Sequence, residues 1–318
     1  MSFNKYLLKK IFLMLLGIII TITISYVVLF IFLHNNNSQY PLIKQYFHFI
    51  FSIFSSFGSL NSNDLKTSFN SPIELFFFYY QYSLFFVGVS FVLSLFLGFI
   101  IGIFLAYKNG KISDITISFI IFSMAAIPTF ILAPIALIIA SINDLPISFI
   151  NDEYLGFSYT LLSLLIPIAL LSFTPIAYFA TTTKNNMLEI LSENYITVMK
   201  SMGQSTNKIF WKGIFKNLFA SEINQIVPIL LLTISFGLII ERIFQIPGQS
   251  LLFTTMFQKH EIDVIMTIIA FKAFLIFLIA FFCEIVHDVI YLNEEIGWNN
   301  LTWFQILYKK SKIKKVVL

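Results

Sequence analysis

The chain has 318 residues, of which 58% are hydrophobic and only 11% are charged, with a formal net charge of +4. A soluble domain carries about 25% charged residues, so this composition excludes a soluble enzyme and a disordered chain, and a single cysteine excludes a disulfide scaffold. The mean hydropathy of +0.87 is typical of a helical protein that crosses a membrane several times.

Six stretches are long and apolar enough to cross a bilayer, whose hydrocarbon core requires about 20 residues of helix. They cover residues 11–33, 82–107, 115–141, 158–181, 223–243 and 264–290. The first follows three lysines, as in a signal peptide, but its apolar run is too long for one and no small-residue cleavage site follows. We therefore predict an uncleaved transmembrane anchor helix within 1–35, a short extracytoplasmic segment at 36–81 and a membrane domain at 82–292.

The distribution of basic residues predicts the orientation. With a cytoplasmic N-terminus, 15 of the 20 basic residues lie in the cytoplasmic stretches and four lie in the outer ones. Cytoplasmic loops of membrane proteins are enriched in Lys and Arg, so both termini are predicted to be cytoplasmic. The basic tail at 293–318 is then expected to face solvent or lipid headgroups. The longest cytoplasmic connection, 182–222, is where we expect a soluble partner to bind.

Small residues line one face of the second predicted span. Ser90, Ser94, Gly98, Gly102 and Ala106 recur at every fourth position, which keeps them on one side of a helix and lets another backbone approach closely. Two interpretations stay open: a helix that packs or moves at a subunit interface, and ordinary tight packing within the chain.

Prolines interrupt three of the predicted spans. They stand at Pro128, Pro134, Pro167, Pro175 and Pro228. Each proline removes a backbone hydrogen bond and is able to kink its helix. Kinked helices suit a gated pathway, although proline is also common in membrane helices.

One lysine lies inside a predicted span. Lys272 follows Asp263 by nine residues, which places it near mid-membrane, where burying a lysine costs roughly 2.5–3.5 kcal/mol on insertion scales. We expect it to face a cavity, a partner chain or an acid, unless the span is offset so that the side chain reaches the outer interface. Near the inner end of the same span, Glu284 and Asp288 lie one turn apart and are placed to meet cytoplasmic lysines.

The 182–222 connection has the pattern of two short amphipathic helices joined by a sharp turn. Ser192 or a neighbour is suited to cap the first helix, with Glu193 in its first turn. Gly203 provides the left-handed residue that ends it, and Ser205 or Thr206 is suited to cap the second. The predicted apolar stripes are Tyr195, Val198, Met199 and Met202 on the first helix and Ile209, Phe210, Ile214 and Leu218 on the second. Such a pair is suited to a groove of a cytoplasmic protein or, alternatively, to the lipid surface.

Motifs for catalysis and nucleotide binding are missing from the sequence. Leu105 stands where a phosphate-binding loop ending at Gly110 and Lys111 would need its first glycine. Neither GxSxG nor HExxH occurs, and the four histidines are scattered. We therefore predict no enzyme activity, and no cofactor or metal bound by the chain itself.

The loop at 182–222 resembles the EAA motif of permease subunits of binding-protein-dependent ABC importers, and more closely the dipeptide/oligopeptide/nickel branch. That branch reads roughly D-Y-V-x-x-A-x-x-K-G followed by R-N. Here Glu193 precedes Asn194-Tyr195-Ile196, Gly203 takes the glycine, and Lys216-Asn217 takes the basic-Asn pair. Further matches follow in order over residues 5–292, at 41–46, 98–114, 127–130, 145–146 and, in the E-x-x-F-x-x-P-G pattern, 241–248.

Several positions depart from the family pattern. Met199 stands where alanine is usual, and Met202 stands where a lysine is common. Ser250 replaces the second glycine of the outer loop. The family's C-terminal D-x-x-Y-x-x-x-D-P-R region is matched only in part, which leaves the packing of the loop and the substrate preference as open points.

The resemblance implies an all-α membrane protein with the type I ABC importer permease fold and six transmembrane helices, in a bacterial cell membrane. It implies a second homologous permease subunit, two ABC ATPase subunits that bind ATP and magnesium, an extracytoplasmic substrate-binding protein, surrounding membrane lipid and no nucleic acid. The substrate would be a peptide, or nickel or another metal as a chelate. A secondary transporter that works alone and a non-transporting sensor or scaffold are the competing classes.

Roles for single residues follow from the resemblance and from their positions. The residues expected to couple the chain to the ATPases are Glu193, Tyr195, Met199, Gly203, Ser205, Lys216 and Asn217. Those expected to serve helix packing or gating are Gly98, Gly102, Pro128, Pro167 and Pro175. Lys272 and Glu241 are expected to face the pathway or a partner.

Overall fold

The computed structural model describes residues 3–33, 42–151, 154 and 156–295, and every regular element within these ranges is helical. The basic tail beyond residue 295 lies outside the described residues. The helices are α1 Phe3–Leu33, α2 Leu42–Ser52, α3 Asn63–Ser68, α4 Pro72–Tyr107, α5 Ile112–Ala126, α6 Thr129–Ile142, α7 Gly156–Ser192, α8 Asn194–Ser201, α9 Thr206–Ile209, α10 Phe215–Ile223, α11 Ile226–Ile243, α12 Gln249–Gln258 and α13 Ile262–Glu295. A π turn, Phe210–Ile214, joins α9 to α10.

Five of these helices, α1, α4, α7, α11 and α13, are each long and apolar enough to cross a membrane. α5 and α6 pass that test only as a pair, and the pair is bent by 96°. The span predicted at 115–141 is therefore divided into two helices at Pro128, one of the prolines expected to kink it. Ile127 adopts an extended conformation, with φ −86° and ψ 119°, because the ring of Pro128 disfavours a helical residue before it.

The bent pair runs from one end of the bundle to the other. α5 begins after a four-residue connection from the end of α4. The segment after α6 returns to the beginning of α4, where the ring of Phe149 packs edge-on against Tyr82 at 5.5 Å and the amide of Asn151 donates to the Tyr82 hydroxyl at 3.4 Å. The pair therefore connects the two ends of the bundle, and counted as one span it brings the candidate crossings among the described residues to six, the number that the sequence predicts.

The two ends of the described chain lie at the same end of the bundle. Lys10, near the start of α1, forms an ion pair with Glu284 of α13 at 2.6 Å. This contact agrees with the expectation that Glu284 meets a lysine. The location of that end in the cytoplasm stays a prediction.

α4 is longer than predicted. It begins at Pro72, ten residues before the predicted start, with Ser71 as N-cap, whose hydroxyl accepts a hydrogen bond from the Glu74 N–H at 3.3 Å. Proline suits this first position because its missing N–H would have had no helical partner. The 36 residues of α4 span about 54 Å, so the helix extends beyond the hydrocarbon core of about 30 Å.

The small residues of α4 lie against α7 of the same chain. A Cβ added at Gly98 would lie 2.8 Å from the Cβ of Phe179, and one at Gly102 would lie 2.5 Å from the Cβ of Thr183. Farther along the same contact, the Ser172 hydroxyl donates to the Ser90 carbonyl at 3.4 Å. Of the two interpretations of this stripe, the geometry agrees with tight packing within the chain.

Prolines interrupt the helices at one place only among the described residues. Pro128 marks the bend between α5 and α6, and Pro134 lies inside α6. Pro167 and Pro175 are buried inside α7, which continues without a break from Gly156 to Ser192. Pro228 is the third residue of α11, where its missing N–H would have had no helical partner. α7 and α11 therefore contain their prolines without ending at them, and the loosening of these two helices by proline stays a prediction.

Candidate functional site

The 182–222 connection folds into a helical hairpin, defined here as residues 193–223. Its first arm is α8, and its second arm runs through α9, the π turn and α10. Gly203 has a φ of +69°, in the left-handed region that favours glycine, and its N–H donates to the Lys200 carbonyl at 3.0 Å. The predicted pair of helices and the turn at Gly203 are confirmed. The π turn was not predicted.

Both helices of the hairpin begin where the sequence predicts, at a neighbour of Ser192 and at Ser205. Glu193, not Ser192, is the N-cap of α8, and it is the single residue between α7 and α8. The Ser192 hydroxyl instead donates to the Glu189 carbonyl at 2.6 Å. Ser205 is the N-cap of α9, but its side chain makes no capping hydrogen bond within the described residues.

The interior of the hairpin is formed by apolar residues from both arms. Ile196 is fully buried, although the predicted stripe did not include it. It meets the second arm, on which Ile209, Ile214 and Leu218 of the predicted apolar stripe are buried. A hydrophobic cluster that includes Met187 of α7 joins this interior to the transmembrane bundle.

Gly213 lets the two arms approach closely. A Cβ at Gly213 would lie 2.9 Å from Cδ1 of Ile196 and 2.9 Å from the sulfur of Met199. Met199, which stands where the family pattern has alanine, is thus accommodated where the opposite arm has no side chain. Sequence reasoning missed Gly213, although a glycine inside a helical pattern is itself a signal of close packing.

The outer face of α8 is apolar and exposed. Val198 is 55% exposed, Met202 is 69% exposed and Tyr195 is 38% exposed. They belong, with half-buried Met199, to the apolar stripe that the sequence predicts on this helix. Exposed apolar side chains that cluster on a short helix are typical of a surface that binds another protein.

A hydrogen-bonded chain joins the arms at the exposed edge. The Tyr195 hydroxyl donates to the Gly213 carbonyl at 3.0 Å and accepts from the side-chain amide of Asn217 at 2.9 Å. Two residues of the sequence motif, 22 positions apart, are thus in direct contact. Lys216, next to Asn217, is exposed on the same arm.

Polar contacts fasten the base of the hairpin to the bundle. Buried Glu222 of α10 accepts a hydrogen bond from the Asn186 side chain of α7 at 2.9 Å, and the Tyr178 hydroxyl donates to Gln225 at 2.8 Å. Burial raises the pKa of Glu222 to about 7, although the Asn186 hydrogen bond opposes the rise. These hydrogen bonds therefore connect the base of the hairpin to α7.

A buried ion pair connects α7 to α5. Lys184 and Asp114 meet at 2.5 Å. Asp114 also accepts a hydrogen bond from the Gly110 N–H at 3.1 Å and one from the Ser118 hydroxyl at 3.2 Å. α7 contacts both α4 and α5 and so connects the hairpin to these helices, while α10 of the hairpin also contacts α13 directly.

At the opposite end of the bundle, Glu241 organises the loop that follows α11. Glu241 is fully buried, and its Oε2 accepts from the Ser250 N–H at 2.9 Å. The Ser83 hydroxyl of α4 accepts from the Gln249 N–H at 2.7 Å. A Cβ at Gly248 would lie 2.8 Å from Glu241 Oε2. Ser250 thus takes part through its backbone, which explains how it replaces the family glycine.

Lys272 borders a small cavity beside this loop. The cavity, of about 60 Å³, is also lined by Ser83 and Gln249 and by apolar residues of α4, α11 and α13. The Lys272 ammonium is attracted by the Glu241 carboxylate. Glu241 Oε1 and Gln249 Oε1 are buried without a hydrogen-bond partner among the described residues. Lys272 therefore borders a cavity near an acid, and the expectation that Lys272 and Glu241 face the pathway or a partner stays a prediction.

A second buried acid fastens the outer segment. Glu261, directly before α13, accepts hydrogen bonds from the Asn61 N–H at 3.0 Å and the Ser62 hydroxyl at 2.6 Å. Asp263 accepts from the Ser59 N–H at 2.8 Å. These contacts join residues about 200 positions apart and hold α3 against the start of α13. The sequence offered no signal for them.

Comparisons with known proteins agree with the motif. A family model described as "Binding-protein-dependent transport system inner membrane component" matches residues 98–292. The chain is 27% identical over 256 residues to the oligopeptide transport system permease protein OppB of Mycoplasma genitalium, over 79% of this chain and 62% of that protein. It is 29% identical over 253 residues to OppB of Mycoplasma pneumoniae, over 79% of this chain and 64% of that protein.

A third relative aligns over a larger share of its own length. The dipeptide transport system permease protein DppB of Bacillus subtilis is 25% identical over 261 residues, which are 79% of this chain and 78% of that protein. The alignments with the two Mycoplasma proteins, by contrast, span somewhat less than two thirds of those proteins.

Proposed function

The chain belongs to the family of inner-membrane components of binding-protein-dependent transport systems, and we propose that it forms half of the membrane pathway of an ATP-driven peptide importer. It is a multi-pass protein of the cell membrane. Relatives named as oligopeptide and dipeptide permeases support a peptide as the substrate. Nickel or another metal chelate, which the sequence resemblance also allows, has no support from the names of these relatives.

The observation that carries the proposal is the structure of the hairpin. Its helix α8 has an exposed apolar face, and the end of its second arm is hydrogen-bonded to α7. We assign the face formed by Val198 and Met202 as the contact with a cytoplasmic ATPase subunit, because an amphipathic helix binds by placing apolar side chains in a groove. The ATPase would bind ATP and magnesium and carry out hydrolysis. This chain would receive the resulting movement at α8.

The movement would reach the membrane through α7. The Glu222–Asn186 hydrogen bond and the Lys184–Asp114 ion pair connect the hairpin to α7 and α7 to α5. The bend at Pro128 is the place where α5 is able to tilt relative to α6, since no helical hydrogen bond from Pro128 itself resists the change. Such a tilt would open the pathway alternately to the two sides of the membrane.

The remaining partners follow from the same arrangement. A second, homologous permease subunit would complete the pathway and would bind a second ATPase through its own loop. An extracytoplasmic binding protein would deliver the peptide to the outer surface. We assign its docking surface to α2, α3 and α12, because the Glu261 and Asp263 contacts hold the segment that carries α3 in a fixed position at the start of α13.

Co-purification of the assembled complex tests this function. We expect the chain to retain an ATPase subunit and a second permease. Met202→Asp, at an exposed position, should reduce recovery of the ATPase at least about tenfold, as expected when a central apolar contact is replaced by a charge, and should leave the second permease bound. Phe54→Asp, at an exposed apolar position at the opposite end of the bundle, is the matched control.

Two results would contradict the proposal. The first is peptide transport by the chain reconstituted alone, which is the behaviour of a secondary transporter. The second is recovery of the chain with neither an ATPase nor a second permease, as expected of a sensor or scaffold.

A further inference from the structure

The second arm of the hairpin carries two parallel rows of side chains, of which only Lys216 is among the residues expected to couple the chain to the ATPases. We call them the lysine–aromatic face, which consists of Lys208, Lys212 and Lys216 together with Trp211, Phe215 and Phe219. Each row repeats every fourth residue. All three lysines are exposed, Trp211 is 59% exposed, and Phe219 is also exposed.

The aromatic side chains form a continuous strip. The ring of Trp211 lies 4.8 Å from that of Phe215, and the ring of Phe215 stacks on Phe219 at 6.0 Å. The π turn supports this alignment, because the Phe215 N–H donates to the Phe210 carbonyl, five residues earlier. Such a bond makes a wider turn than the α-helix and so brings positions four residues apart closer to one line.

The strip continues the apolar surface of the transmembrane bundle. Phe215 contacts the ring of Phe99 on α4 at 6.4 Å. Phe99 lies about 12 Å from the end of α4 at Tyr107. Phe96 and Ile100, its neighbours on α4, are exposed apolar side chains of a membrane-spanning helix. The aromatic strip therefore begins at the level of the membrane.

The exposed charged side chains of this arm are all positive. Between Glu193 and Glu222 the sequence contains no acidic residue, and Glu222 itself is buried. Rows of lysine beside exposed aromatic rings are typical of a membrane interface, where the rings lie at headgroup depth and the lysines extend toward anionic lipid.

We propose that the lysine–aromatic face binds the headgroups of anionic phospholipids in the inner leaflet. The lysines meet lipid phosphates, and the rings of Trp211, Phe215 and Phe219 insert beside the acyl chains. The second arm of the hairpin is thereby held at the membrane surface, and α8 projects from it. This proposal requires only that the hairpin lies on the cytoplasmic side of the membrane, and it does not depend on which protein α8 meets.

Quenching of tryptophan fluorescence by brominated lipid tests the proposal directly. The chain has three tryptophans, and Trp298→Phe with Trp303→Phe leaves Trp211 as the single reporter. The full chain is reconstituted in phosphatidylcholine bilayers that contain the same fraction of either brominated phosphatidylglycerol or brominated phosphatidylcholine. We expect the anionic lipid to quench at least about twice as strongly, because each nearby lysine enriches anionic lipid severalfold.

Replacement of the lysines tests whether they cause the stronger quenching by the anionic lipid. Changing Lys208, Lys212 and Lys216 to Gln should make the two lipids quench Trp211 equally, while quenching by brominated phosphatidylcholine persists. Changing Lys108, Lys111 and Lys200 to Gln, on the same predicted side but outside the face, should leave the preference intact. Equal quenching by both lipids in the unmodified face would overturn the proposal. Absence of quenching by either lipid would also overturn it and would assign the face to a protein contact.

Discussion

Replacement of Tyr195 with phenylalanine removes one hydroxyl group and two hydrogen bonds between the arms of the hairpin. That hydroxyl donates to the Gly213 carbonyl at 3.0 Å and accepts from Asn217 at 2.9 Å. A hydrogen bond contributes about 0.5–1.5 kcal/mol net. Because Tyr195 is 38% exposed, water replaces part of what is lost, and we expect a total cost of about 1.4 kcal/mol, which corresponds to a tenfold change in an equilibrium.

The predicted effect is a tenfold larger population of the opened hairpin, measured by hydrogen exchange. The amides of α8 should exchange about ten times faster in Tyr195→Phe, since local opening governs their protection. The amides in the membrane-spanning part of α4 should not change. Tyr82→Phe is the matched control, because the Tyr82 hydroxyl also accepts from an asparagine side chain, but at the opposite end of the bundle. Unchanged exchange in α8, or an equal rise in the control, would refute the reasoning.

Three further predictions concern the packing and the buried charges. Gly102→Ala forces α4 and α7 apart and should cost about 1–3 kcal/mol, seen as a lower melting temperature, whereas Gly88→Ala, with open space around it, should have little effect. Glu222 keeps its proton up to a pH of about 7, whereas an exposed glutamate loses it near its usual pKa of 4.5. The native state should therefore lose up to about 3 kcal/mol of stability as the pH rises from 4.5 through 7, and Glu222→Gln should remove this dependence of the melting temperature on pH. Lys272→Met leaves the carboxylate of Glu241 without its cation and should lower the melting temperature, whereas the double variant with Glu241→Gln should recover most of the loss.

The elements that the sequence predicted well are those set by local chemistry. The turn at Gly203 follows from a glycine placed after the last apolar position of a helix, where a left-handed residue is needed. The crossings follow from apolar length. The family motif then indicated the hairpin as a candidate functional element, because its glycine and its basic-Asn pair are local in sequence.

The orientation of the side chains in α8 was not predictable in the same way. Ile196 and Val198 are both apolar, and periodicity alone did not decide which would be buried. The decision depends on Gly213 of the opposite arm, whose missing side chain leaves space against Ile196 and Met199. Contacts of this kind form only when the two arms pack together, so the sequence of either helix alone does not reveal them.

The effect of each proline on its helix was also not predictable from the local sequence. Pro128 and Pro175 each remove one N–H donor, but the first lies at a bend of 96° and the second lies inside a continuous helix. Pro175 is buried in α7, which packs against α4 along the stripe of small residues, and this packing holds the helix together around it. The sequence around each proline does not report those long-range contacts.

The most direct test of the central claim, that the hairpin transmits the movement of an ATPase, is the rate of ATP hydrolysis by the assembled complex with and without peptide-loaded binding protein. Gly203→Pro makes the turn impossible, because proline fixes φ near −65° and this position has a φ of +69°. We predict that the variant complex hydrolyses ATP at its basal rate and loses stimulation by the loaded binding protein. Stimulation equal to that of the wild-type complex would contradict the claim.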